Sequence, residues 1–208
     1  MANRLPKLVD KRKICIICEG NEEYAYLNRL RDLKVWDEQY DISLVNAEGN
    51  GNIPARYQDR YQNGSDDIVL VFCDTEKKPH EQYEDIKKKI NNFHGVDNAA
   101  ENVIIFGNPC TMQIVSKHWT DKDLKSPAKP VNAPLIKEYT DVDNYKGRAD
   151  QIEAVMAHVT VGNYTDMSRR VDKLSHDDSV TGSSNFGKFI KHFESGNDEW
   201  KISIAFYN

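Results

Sequence analysis

Residues 12–18, RKICIIC, form a short unbroken run of β-branched and thiol side chains that stops at Glu19-Gly20 and gives way at once to a helical pattern. A strand that is apolar on both faces suits the interior of a parallel sheet covered on each side, and parallel strands need helical crossovers to return the chain. The pattern repeats. A second strand is expected at 42–46 (ISLVN), a third at 68–73 (IVLVFC) running into Asp74-Thr75-Glu76, and a fourth from Val103 to Phe106 leading to Gly107-Asn108-Pro109-Cys110. Between them, Tyr24, Leu27, Leu30 and Leu33 mark a helix after Asn21, read as its N-cap, with Glu22 and Glu23 in the dipole-favoured first turn. Helical segments are also expected at 54–62, at 80–93 and around Met112–Trp119. The expected fold class is α/β, a Rossmann-like, mainly parallel four-stranded sheet flanked by helices, built from residues 12–119.

Three prolines (Pro127, Pro130, Pro134) among lysines and aspartates make 120–147 a connector or flap rather than a packed element. Beyond it, 148–160, 164–175 and 186–194 carry apolar residues at helical spacing, giving a C-terminal helical extension over 148–208 that closes on an alternating WKISIAFYN. The apolar stripes of that extension suit packing onto the sheet, pairing of two chains as a homodimer, or binding of a sensor ATPase equally.

With 28 Lys and Arg against 33 Asp and Glu, a formal charge of −5 excludes a surface that is basic all round, leaving only a local basic stripe for nucleic acid. No apolar run approaches the roughly 18–20 residues of a bilayer span, and the basic start MANRLPKLVDKRK lacks the apolar stretch of a secretory signal. A cytoplasmic protein without membrane contact is expected. Cys15, Cys18, Cys73 and Cys110 lie in or beside apolar runs and read as reduced thiols, and the Cys15–Cys18 spacing lacks the second pair of a zinc knuckle.

In an open parallel sheet, ligands gather at the carboxyl ends of the strands. Here those ends carry Glu19-Gly20, Asp74-Thr75-Glu76 and Asn108-Pro109. Carboxylates converging on one rim repel each other and suit a hard divalent cation, Mg²⁺ or Mn²⁺, of the kind that assists phosphoryl transfer. Lys77 and Lys78 flank the Asp74 strand end and suit the grip of a phosphate backbone. Other readings stand beside these. Asp74 and Glu76 suit acids that open a helix, Gly20 a plain turn, Asn108 a turn or cap, and His118 either a packed histidine or a substrate contact.

A strand ending in Glu-Gly with a later strand ending in Asp-x-acid resembles the TOPRIM domain of topoisomerases, primases and OLD-type nucleases. Cys18-Glu19-Gly20-Asn21-Glu22-Glu23 with Tyr24-Ala25-Tyr26-Leu27, and Asn108-Pro109-Cys110 with His118-Trp119, resemble more narrowly the RloB-like family of bacterial phage-defence proteins. The resemblance covers residues 12–119 and implies a divalent-metal-dependent nuclease cleaving RNA or DNA, with RNA slightly favoured, as a toxic effector held or triggered by a partner. It implies Glu19 as general acid/base or metal ligand, Asp74 and Glu76 as metal-holding residues, and Glu23 as a ligand to a second ion. Gly20, Lys77, Lys78, Asn108 and His118 are the expected substrate contacts. The chain carries Glu76 where the family has a second aspartate, and Thr111-Met112-Gln113 where many relatives have a Phe-Glu pair. The alternative is a non-catalytic TOPRIM-like module that binds nucleic acid or a nucleotide.

Overall fold

The computed structural model describes residues 11–75 and 80–195. Glu76, Lys77, Lys78 and the alternating 200–208 segment lie outside the described residues. Four parallel strands form one sheet in the order β2-β1-β3-β4, where β1 is Arg12–Cys18, β2 Tyr40–Asn46, β3 Ile68–Asp74 and β4 Ile104–Gly107. All seven residues of β3 and the last five of β1 are buried, as a strand covered on both faces requires.

Helices α1 (Asn21–Asp32), α2 (Ile53–Asn63) and α3 (His80–His94) make the crossovers, and a short α4 (Ala99–Val103) precedes β4. The chain leaves β1 toward β2 on one side and reaches β3 on the other, so the order reverses between β1 and β3. That reversal opens a crevice at their carboxyl ends.

After β4 come α5 (Met112–Ser116), α6 (Lys129–Thr140), α7 (Ala149–Ala157), α8 (Val161–Val171) and α9 (Phe186–Glu194). The apolar face of α9 is fully used: Phe186, Phe189, Ile190 and Phe193 are buried, and the Phe186 ring stacks on Phe72 of β3 at 5.8 Å. The segment before α9 closes the outer edge of β4. Asn185 Oδ1 accepts the Phe106 N–H, its Nδ2 donates to the Ile104 carbonyl, and Ser184 Oγ donates to the Phe106 carbonyl. An edge strand's open backbone groups are thereby satisfied within the chain.

Three expectations are corrected. The α1 N-cap is Gly20, with Asn21 already helical. Val103 ends α4 rather than starting β4. The proline-bearing stretch read as a connector contains α6, whose Asn132, Ile136 and Thr140 are buried against the rest of the chain. Among the described residues no helix is long and apolar enough to cross a membrane.

Candidate functional site

The carboxyl ends of β1 and β3 sit side by side, tied by the Glu19 N–H, which donates to the Phe72 carbonyl at 2.9 Å. Just beyond, a cleft of about 200 Å³ is lined by Glu19, Gly20, Glu22, Glu23 and Asp74 from the sheet and the start of α1, and by Lys129 and Tyr145 from the far side. Four carboxylates therefore face one space, with Lys129 the single cation among the residues that line it.

Each carboxylate is held by a specific donor. Glu19 Oε2 accepts the Asp74 N–H at 2.9 Å, so the acid ending β1 is braced by the backbone ending β3. Asp74 Oδ1 accepts both the N–H and the hydroxyl of Thr111, at 2.6 and 2.8 Å. Glu23 Oε2 accepts the Gly20 N–H at 2.9 Å, a capping contact at the positive end of α1. Gly20 is in extended backbone, and a Cβ there would make only ordinary contact. Its contribution to the site is that N–H rather than a conformation only glycine can take.

Glu22 receives Lys129 Nζ as an ion pair and the Tyr145 hydroxyl at 2.8 Å. Gly147 explains how the far wall comes so close. It adopts φ +71, and a Cβ there would stand 2.7 Å from Glu22 Oε1.

Burial and mutual repulsion set the electrostatics. Asp74 is 7% exposed, and burial, followed by the Glu23 and Glu19 charges, holds its carboxyl well above the usual range. Burial likewise raises Glu23, and the neighbouring Glu22 charge adds to it. Cys110 also lines the cleft, and burial pushes its thiol well up, so it stays a neutral thiol.

Buried, hard oxygen donors short of counter-charge match the chemistry of a Mg²⁺ or Mn²⁺ site. Glu19, Glu23 and Asp74 are the residues that would hold such an ion. Among the described residues, no three His, Cys, Asp or Glu side chains already stand in the arrangement of a metal site, so the fit is one of donor chemistry.

Two expected substrate contacts are placed elsewhere. Asn108 is buried, its N–H on the Ser183 carbonyl and its Nδ2 on the Asp178 carbonyl, and it fastens the β4 turn to the segment before α9. His118 is 2% exposed, with Nε2 3.1 Å from the Tyr26 hydroxyl and Nδ1 2.7 Å from Asn163 Oδ1. It is a packed histidine. Arg60, Arg148, Arg169 and Arg170 pair with Asp66, Asp150, Asp166 and Asp121, and none lines the cleft.

Gln113 is fully buried. Its carbonyl accepts the Leu124 N–H, and its amide donates to Asp123 and to the Gly182 carbonyl. Only a group with both donor and acceptor satisfies these partners, so an amide belongs here on packing grounds. Sequence reasoning missed Glu22 as a cleft residue, together with Tyr145 and Gly147. Glu22 alone carried a signal, its place beside Glu23 in the first helical turn.

The buried His118 makes stability depend on acid. Burial lowers its pKa to about 4, while an unfolded chain takes up the proton near 6.5. A depressed histidine stabilises the fold above the unfolded value, and that contribution drains away as pH falls toward the folded one. The stability gap between wild type and His118→Gln is expected to narrow by about 2 kcal/mol from pH 7 to pH 5, read by urea unfolding. A gap that stays constant would show that His118 takes up its proton in the folded state as readily as in the unfolded one.

No family model matches the chain, and no solved structure matches it. Over 100 residues, 46% of its length, it is 27% identical to the transcriptional regulator MraZ of three Coxiella burnetii strains, Dugway 5J108-111, RSA 331 / Henzerling II and RSA 493 / Nine Mile phase I. The chain spans 60% of the length of these curated relatives.

Proposed function

We propose that the protein is a divalent-metal-dependent nuclease of the TOPRIM type, cleaving phosphodiester bonds of RNA or DNA, and that it serves as an RloB-like effector in antiviral defence. The observation that carries this reading is the convergence of Glu19, Glu23 and Asp74 on one cleft at the strand-order reversal of a parallel sheet. A cleft with four carboxylates and one lysine repels a phosphodiester unless divalent charge accompanies it. When bound, a divalent cation supplies that charge and polarises the phosphate.

The chain's own residues supply position and proton handling. Thr111 fixes Asp74 through two donors to one oxygen and leaves the other oxygen for coordination. Glu19, held by the Asp74 N–H, is the residue assigned to acid/base work. Glu23, raised by burial, favours the protonated form more than an exposed glutamate does.

The likeness to proteins named transcriptional regulators favours a second reading, a non-catalytic module that binds nucleic acid or a nucleotide. One experiment separates them. Wild type, Glu19→Ala and Asp74→Ala are incubated with total cellular RNA and plasmid DNA in Mg²⁺, Mn²⁺ or EDTA. Metal-dependent cleavage by wild type, reduced roughly 10²–10⁴-fold in each variant, is the expected result and identifies the nucleic acid. Full activity in both folded variants would overturn the assignment of these carboxylates. Binding without turnover on either nucleic acid would establish the second reading.

A further inference from the structure

Both ends of segment 127–147 close on one carboxylate. Lys129, at the start of α6, forms its ion pair with Glu22, and Tyr145, beyond the end of α6, donates its hydroxyl to the same Oε1. Between them Asn132 and Ile136 of α6 line the cleft, and Gly147 brings the backbone against the pair. The strap is a lid with two contacts on a single residue of the acidic cluster.

Two quantities show what the closed lid excludes. The cleft holds about 200 Å³, while pockets for small organic ligands run from about 300 to 1,000 Å³. The cleft is therefore narrower than a site that takes in a whole nucleotide. The Lys129 side chain is 43% exposed while Glu22 is 9% exposed, so the lysine can swing its ammonium into solvent and Glu22 cannot follow.

The geometry points to Lys129 as a tethered counter-ion that latches the α6 strap over the acidic cleft and that a divalent cation displaces, so that metal binding and strap closure oppose each other. The inference rests on the metal-dependent reading and adds regulation to it. The ammonium, bonded to Glu22, and a metal on Glu19, Glu23 and Asp74 would neutralise one acidic cluster, and two cations in one small cleft repel. Coupling of this kind is reciprocal: the latch weakens metal binding by the factor by which metal weakens the latch. An apo protein would then keep its site shut, opening it when the ion needed for chemistry is present.

Mn²⁺ binding to the full chain, followed by the loss of the free-ion EPR signal, tests this in wild type, Lys129→Met and Lys129→Arg. Lys129→Met is expected to bind Mn²⁺ about tenfold tighter than wild type, with Lys129→Arg within about twofold of it, because arginine keeps the charge. Amide exchange across 129–140 in wild type is expected to quicken on Mn²⁺ saturation. Should Lys129→Met not fold, Tyr145→Phe removes the other contact and is expected to tighten binding about threefold. Equal or weaker Mn²⁺ binding in the folded neutral variant, with wild type binding normally, would overturn the latch alone. No binding in any form would overturn the metal reading and the latch with it.

Discussion

Asp74→Asn is expected to raise the melting temperature of the metal-free protein by about 3–6 °C while reducing metal-dependent cleavage roughly a thousandfold. The two effects share one cause. Asp74 is buried among Glu19, Glu22 and Glu23, and its ionised form is disfavoured first by burial and then by those charges. An amide keeps an oxygen for the two Thr111 donors and places its NH₂ where neighbouring carboxylates can accept it. Relief of an uncompensated buried charge is worth about 1–2 kcal/mol, and in a chain of this size each kcal/mol moves the midpoint by about 2–4 °C.

The pH dependence supplies a sharper signature. An acid whose folded pKa is raised binds its proton more tightly folded than unfolded. Its stabilising contribution is full below the unfolded value of about 4 and is lost as pH rises through the folded one. The stability of wild type relative to Asp74→Asn should therefore fall toward neutral pH in EDTA and recover with Mg²⁺. Differential scanning calorimetry at pH 5 and 8, with and without Mg²⁺, reads all four conditions. An asparagine variant that is less stable than wild type at pH 8 and still cleaves would show that Asp74 is a structural acceptor for Thr111 and nothing more.

The expected sheet emerged because strands buried on both faces leave a local mark. RKICIIC and IVLVFC are continuous apolar runs, and each stops at an acid that the fold places on the rim of the cleft. What spans long sequence distances left no such mark. Glu22 looks like any acid in a first helical turn, and its partners lie 107 and 123 residues away.

The prolines misled for a physical reason. Pro130 falls in the first turn of α6, where backbone N–H groups have no intrahelical partner, and Pro134 removes only one further bond. Residues 129–140 therefore form a helix that a count of prolines argues against. The short α4 spans five residues, too few to show a period. His118 and Asn108 sat beside a motif, yet the fold buries both away from the cleft, Asn108 in the turn after β4 and His118 beyond α5 between Tyr26 and Asn163. Nearness in sequence to a site residue does not carry a side chain into the site.

Gly107→Ala is expected to destabilise the protein by about 2–4 kcal/mol, lowering its melting temperature by about 6–12 °C, and to weaken Mn²⁺ binding as well. Gly107 ends β4 opposite Asp74 in the sheet register, and the chain folds back over it. A Cβ there would stand 2.9 Å from the Cys110 carbonyl oxygen, 3.1 Å from its carbon and 3.2 Å from the Thr111 Cα. All three are backbone atoms, so no side chain can swing aside; the 110–111 turn itself must move. That turn carries the N–H and hydroxyl that hold Asp74 Oδ1, so the displacement reaches the cleft through Thr111. Gly51→Ala is the matched control, since a Cβ at Gly51 meets nothing within 4 Å, and it should melt within about 2 °C of wild type. Thermal unfolding and Mn²⁺ titration on the three proteins separate two cases. Loss of stability with unchanged Mn²⁺ affinity would mean that the turn relaxes without moving Thr111, whereas loss of both would identify the close approach at Gly107 as the support on which the Asp74 carboxylate is built.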